Sequence, residues 1–173
     1  SSLVCGLGDV YKRQAPGTTS QIVLKLDSGI ALGTLTLGAS PLTVPALQNI
    51  TLNASNDVFT WSQLDATAKK QIATTSTNSV AMNLVVDSTT FFGTDIAATQ
   101  SATVAAQGIL GLSRNKTLVT FSLKFEEGGA VDKYIKGQGY ITGLAPTVSA
   151  DSPVWVSPIT ITVTGDYTVS ATE

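Results

Sequence analysis

The sequence predicts a mainly-β domain, a β-sandwich or partly closed β-barrel flanked by one or two short helices. Long stretches alternate apolar and polar residues with a period of two, most regularly Lys116–Phe125, Lys133–Leu144 and Trp155–Thr164. Glycine-containing steps such as Gly128-Gly129 and Gly165-Asp166 lie between or just after these stretches, where turns belong. No segment recurs at a fixed period, which excludes solenoids and propellers.

Taken in order, Gln21–Leu26 reads as a strand with Ile22, Leu24 and Leu26 on one face, ended by the turn Asp27-Ser28-Gly29. Ile30–Leu37 resumes the alternation, with a slip near Gly33 that reads as a bulge. Pro41 and Pro45 make Gly38–Pro45 a loop or extended arm, and Asn49–Asn53 and Phe59–Trp61 read as short strands. Ser62–Ile72 is the first expected helix: Ser62 caps, Asp65 is acidic in the first turn, and Leu64, Ala68 and Ile72 recur every four residues. Thr74–Asn78 reads as a polar connection. Val80–Val86 is a strand with Val80, Met82, Leu84 and Val86 on one face.

The alanine-rich run Asp95–Leu112 is the second expected helix, weakened at its end by Gly108 and Gly111. Lys116–Phe125 presents Val119, Phe121, Leu123 and Phe125 to one side and forms a hairpin with Lys133–Leu144. Ala145–Pro153 is a loop. In Trp155–Thr164, Ile159, Ile161 and Val163 face inward while Thr160, Thr162 and Thr164 face outward. Gly165-Asp166 turns the chain into a short final segment, Tyr167–Ser170.

The 173 residues suit one domain large enough to hold its own core. Charged residues make up only 13% against 43% hydrophobic, and Ser, Thr, Ala and Asn take their place. A surface so thinly charged favours association, which suits a packed assembly. Net charge is −2, and the densest basic spots are Lys69-Lys70 and Lys12-Arg13, so the chain has no basic patch for nucleic acid. No apolar stretch is long enough to span a membrane. Cys5 is the only cysteine, so no intrachain disulfide forms. Residues 1–14, SSLVCGLGDVYKRQ, resemble translated sequencing-adapter DNA at the ends of metagenomic reads. They read as a non-native or disordered segment ahead of a single β-rich domain over residues 15–173.

Chemistry has few candidates. The chain has no histidine, which removes His-based triads and His metal sites. Lys136-Gly137-Gln138-Gly139 sits in strand context with no helix after it, so it is no phosphate loop, and its glycines read as a bulge or a close approach. Glu126-Glu127 flanks a turn and reads as a solvated hairpin tip. Asp57, Asp87, Asp95 and Asp151 lack calcium-loop spacing. No catalytic, cofactor-binding or metal-binding residue is expected, and no cofactor. Arg114 and Lys116 either offset a helix C-terminus or contact a neighbouring subunit. Trp61 and Trp155 are either core or interface anchors.

Three stretches of the C-terminal half carry a resemblance. The helix Ala97–Leu112 leads at once into Leu118-Val119-Thr120-Phe121-Ser122-Leu123-Lys124-Phe125. A glycine turn then leads to Tyr134-Ile135-Lys136-Gly137-Gln138-Gly139-Tyr140-Ile141-Thr142-Gly143-Leu144. Last comes Ile159-Thr160-Ile161-Thr162-Val163-Thr164-Gly165. In order and spacing these are similar to the major tail (tail tube) proteins of long-tailed bacteriophages. The resemblance runs from about Val80 to Ser170. It implies a self-assembling virion subunit without catalytic residues, built as stacked hexameric rings around a lumen that passes DNA without sequence-specific binding. It implies homo-oligomeric and other tail-protein partners, no membrane, and assembly in the host bacterial cytoplasm. Loops and arms, here Gly38–Pro45 and the Thr74–Asn78 region, would reach the next ring. On this reading Pro41, Val44, Pro45, Trp61, Arg114, Lys116 and Trp155 are the candidate subunit-interface residues. A head decoration protein or another virion β-protein, and a secreted Ig-like adhesion module, are the alternatives.

Overall fold

The computed structural model describes residues 22–45, 47–65, 67–95, 97, 102–125 and 131–173. In chain order the elements are β1 (Ile22–Ser28), β2 (Leu42–Val44), β3 (Leu47–Trp61), β4 (Lys70–Val85), α1 (Ser88–Phe92), α2 (Val104–Arg114), β5 (Val119–Phe125), β6 (Lys133–Leu144), β7 (Thr147–Ser149) and β8 (Ser152–Ser170). The strands form one antiparallel sheet in the order β2-β1-β5-β6-β8-β4-β3, with β7 added to β8. The sheet is open: β2 and β3 are its two ends and do not pair with each other.

Period-two alternation places the core. Val80, Met82 and Leu84 of β4, Ile159, Ile161 and Val163 of β8, and Val119, Phe121 and Leu123 of β5 are all buried, as their sequence phases require. Leu24 and Leu26 of β1 and Ile141 of β6 join them, and Phe91, Val104, Ile109 and Leu112 from the helices close the same cluster. Truncating a fully buried residue such as Phe121 to alanine costs about 3–5 kcal/mol in cores of this kind. The expected β5–β6 hairpin forms, from Val119 opposite Gly139 to Phe125 opposite Lys133. Gly137 makes room for a neighbour: a Cβ there would stand 2.7 Å from the Phe121 ring.

The helices meet through two glycines. Gly93, after α1, and Gly108, where α2 is kinked, have φ of 74° and 62°. A Cβ on Gly93 would lie 2.5 Å from the Ala106 carbonyl oxygen, and one on Gly108 would strike the backbone nitrogen of Gly93. This contact lets Thr94 and Asp95 N–H donate to the Ala105 and Ala106 carbonyls. Asp87 caps α1 by accepting from Thr90 N–H at 2.9 Å, and that bond holds its carboxyl below the usual aspartate range. The buried Gln107 ties both ends of α2 together, donating to the Ala102 carbonyl and accepting from Asn115 and Thr117.

Several expectations are corrected. Ser62–Ile72 is not a helix: residues 62–65 and 67–69 lie at the tip of a hairpin, and Ile72 lies in β4. Thr74–Asn78 is strand rather than connection, and the two short strands expected at 49–53 and 59–61 are one, β3. The i, i+4 stripe of Leu64, Ala68 and Ile72 loses because the flanking β-branched and aromatic residues pair cross-strand, which a three-residue stripe cannot outweigh. Ile30–Leu37 is not a strand either. The Asp27 carboxylate, nearly buried, accepts from Ser28 N–H and Gly38 N–H and closes the neck of this loop. The Gln138 amide accepts from Gly33 N–H and donates toward the Ala31 and Thr34 carbonyls, giving the loop's backbone partners other than a strand. The Gly38–Pro45 and Ala145–Pro153 loops contain the short strands β2 and β7. Gly165-Asp166 is a bulge within β8, not a turn out of it: Gln138 pairs with Thr164 and Lys136 with Thr168. The Glu126-Glu127 pair and Gly128-Gly129 lie outside the described residues.

Candidate assembly surfaces

The β3–β4 hairpin is the largest departure from a closed domain. Its ladder runs from Leu47 opposite Leu84 to Trp61 opposite Lys70. Ile50 and Leu52 pack on the core beside Val80 and Met82, so the inner half is anchored. Tyr167 O–H reaches the Ser79 carbonyl at 2.7 Å and the Asn53 carbonyl at 3.0 Å where the hairpin leaves the core. From Asn53 through Thr77 every described residue is exposed. This arm is rich in Ser, Thr and Asn, except near its end. There Phe59 and Trp61 stack with ring centroids 5.9 Å apart, and Ile72 faces Phe59 across the ladder. Phe59 is 59% exposed, Ile72 55%, and Leu64 in the tip fully exposed.

The far end of the same sheet carries a second apolar patch. Val85 pairs with Val156, and Val86 N–H donates to the Trp155 carbonyl, so Trp155 sits at the end of β4 opposite the arm's tip. Val148, Val154 and Trp155 are each about half exposed there, beside the exposed Asp151.

The sheet face turned away from the core is divided. Over β1, β5 and β6 it carries Asp27, Thr120, Lys136 and Gln138, which are buried, with the loop over residues 29–38 held against Gln138. Over β8, β4 and β3 the same face carries Thr160, Thr162, Ser79, Ala81, Asn83, Asn49, Thr51 and Asn53. None of these is charged. Asn83 bonds Asn49 across the ladder at 3.2 Å, and Thr162 bonds Thr142 of β6 at 2.8 Å. The outer edge of β3, fifteen residues long, has no strand beside it among the described residues.

A cavity of about 500 Å³ opens between Asp27, Gly38–Ser40 and Ala102–Val104. Its one carboxylate, Asp27, is already engaged by two backbone N–H groups. Among the described residues no three of His, Cys, Asp and Glu stand together as metal ligands, and no helix is long and apolar enough to cross a membrane. The four aspartates noted in the sequence are apart: Asp57 accepts from Thr75 O–H, Asp87 caps α1, Asp95 accepts from Ala97 N–H, and Asp151 is in the β7–β8 turn.

Of the seven candidate interface residues, Trp61 is at the arm's tip and Trp155 at the opposite end of the sheet. Arg114 and Lys116 are exposed at the C-terminus of α2, Pro45 is exposed and Pro41 half-buried at the β2 edge, and Val44 is buried in the core. The structure therefore does not gather the seven into one surface. Phe59, Leu64, Ile72 and Val154 were not among the interface candidates read from the sequence. The available signal was an aromatic pair two residues apart, Phe59 and Trp61, flanked by hydroxyl-rich strand sequence with no apolar partner face.

No family model matches this chain, and neither does any curated protein. Solved structures do. The chain is similar to a subunit in a hybrid solid-state NMR and cryo-EM structure of the SPP1 tail tube, with a TM-score of 0.61 and 12% identity over 90% of this chain and 79% of that one. It is similar to a chain of the tail of an empty gene transfer agent particle refined with C6 symmetry, TM-score 0.58 and 9% identity over 89% and 98%. A chain of the native gene transfer agent virion gives TM-score 0.59 and 9% identity over the same shares. The chain shares the fold of these tail structures.

Proposed function

We propose that this protein is the structural subunit of a phage tail tube, assembling as stacked hexameric rings around a channel for DNA. The observation that carries the reading is the β3–β4 arm: every described residue of its outer half is exposed, and it presents an aromatic cluster to solvent. It does so in a fold shared with assembled tail tubes, one of them with C6 symmetry. An open sheet with a long bare edge is a hazard in a lone molecule and is satisfied when a neighbour pairs with it. In a ring that closes by rotation, every copy meets the next through the same two surfaces.

The uncharged Thr and Asn face of β8, β4 and β3 is the surface we assign to the lumen. Hydroxyl and amide groups hydrate a passing phosphate backbone without holding it, and a chain of net charge −2 adds no attraction. DNA then slides. The role is architectural and uses no chemistry of its own. Its partners are further copies of the chain and other tail proteins, in the virion.

Concentrating the purified chain and viewing it by negative-stain electron microscopy tests this. Rings or hollow tubes of uniform width are expected. A monodisperse monomer at high concentration would overturn the reading and leave a decoration protein or an adhesion module as the better account.

A further inference from the structure

We propose that the outer sheet face over β1, β5 and β6 carries an oxyanion site, seated on the Lys136 ammonium and the Ser122 hydroxyl with Lys25 beside them, that takes a carboxylate or phosphate group. The site belongs to the single chain and does not depend on the tube reading.

Lys25, Ser122 and Lys136 form one cross-strand row. Ser122 of β5 pairs with Lys25 of β1 on one side and with Lys136 of β6 on the other. Direct partners in an antiparallel ladder share a face, so all three point away from the core that Phe121 and Leu123 enter. Adjacent strands stand roughly 4.8 Å apart, which puts a lysine stem on either side of the serine, within reach of one small anion. Both central groups are deeply buried, Lys136 at 6% exposure and Ser122 at 1%. Among the described residues the Ser122 hydroxyl is the buried side-chain polar group without a hydrogen-bond partner, and the Lys136 ammonium makes no hydrogen bond or ion pair.

A charge withdrawn from water is stabilised by a counter-charge, and a buried hydroxyl by a partner. The carboxylates beside this row are already engaged: Glu173 by Lys25 at 2.7 Å, Asp132 by Lys124 at 3.2 Å, and Asp27 by the Ser28 and Gly38 N–H groups. Water would satisfy the serine but not the ammonium. The Glu173 contact is a carboxylate oxygen held on this same row. A second oxyanion would accept a charge-assisted bond from Lys136 and a further one from Ser122. The lysine stems are flexible and can part to admit it.

Thermal unfolding of the full chain, kept dilute, in phosphate, acetate and chloride of equal ionic strength tests this beside Lys136→Met and Ser122→Ala. General salt effects act on every variant alike, so the reading is the parent's gain over that of Lys136→Met. In saturating phosphate that excess should be about 3 °C or more. Methionine keeps the apolar stem without the charge, so Lys136→Met should melt at or above the parent in chloride. Ser122→Ala keeps the lysine and should bind phosphate about tenfold more weakly. An acetate gain equal to the phosphate gain identifies a single carboxylate as sufficient, the group a protein side chain supplies; a gain in phosphate alone identifies the free ion. Equal gains in parent and Lys136→Met, or no gain in either anion, would overturn the site. A Lys136→Met chain that melts well below the parent in chloride, or fails to fold, would show that the ammonium is already satisfied and would overturn it too.

Discussion

Lys116 is the one non-glycine residue among those described with positive φ, at 53°. It stands just past the end of α2, where its N–H bonds the Ser113 carbonyl at 3.1 Å and Thr117 N–H bonds the Leu112 carbonyl at 3.0 Å. That pair of bonds is a Schellman cap, a motif that ordinarily places glycine in the left-handed position. The sequence reading of Arg114 and Lys116 as a helix terminus is therefore met by the backbone, but at the expense of side-chain strain. Lys116→Gly should raise stability by about 1 kcal/mol, read by thermal or urea unfolding. Tyr167 gives a pH prediction. Burial pushes its hydroxyl above the usual tyrosine range, and the hydrogen bond it donates to the Ser79 carbonyl is one that only the protonated phenol can make. A raised folded pKa means that folding favours the protonated phenol. The stability this contributes is complete below the ordinary tyrosine pKa of about 10 and is lost as pH rises through the higher folded value. Tyr167→Phe should cost about 1 kcal/mol at neutral pH and lessen the alkaline loss seen in the parent. Equal alkaline slopes would count against the assignment.

The β3–β4 hairpin is the element that sequence reasoning misjudged most. Its inner half was legible, because Val80, Met82 and Leu84 alternate cleanly. Apart from the cluster near its tip, its outer half carries no apolar face to reveal a period, since nothing in its own chain covers it. An isolated two-stranded ribbon is only marginally stable in water, so this half depends on its anchored base and, in the proposed assembly, on a neighbour. Replacing residues 55–77 with Asn-Gly, so that Ala54 and Asn78 close a two-residue turn, removes residues that are all exposed among those described. The shortened chain should keep its circular dichroism signature and melt within a few degrees of the parent, but form no tubes. A collapse of the fold would show that the arm supports the core after all.

At the scale of the whole molecule, the sheet stays open and one face is divided into a covered polar half and a bare hydroxyl half. In the proposed assembly such a molecule is finished by its neighbours. The sequence alone determined which side chains face inward in β1, β4, β5 and β8, the β5–β6 hairpin, and the thin charge that suits assembly, because strand periodicity and composition are local quantities. It marked the glycines of β6 as a bulge or a close approach, and at Gly137, against Phe121, tertiary structure made it a close approach. Tertiary structure alone decided the rest. The alternating run Ile30–Leu37 became a loop because Asp27 and Gln138, the latter more than a hundred residues away in the chain, supply the bonds that a ladder would have given it. Val44 went to the core, and Trp61 and Trp155 to opposite ends of one sheet, because strand order places them there. Side-chain periodicity is written residue by residue; the order in which strands pair depends on contacts between distant segments, which no local pattern encodes.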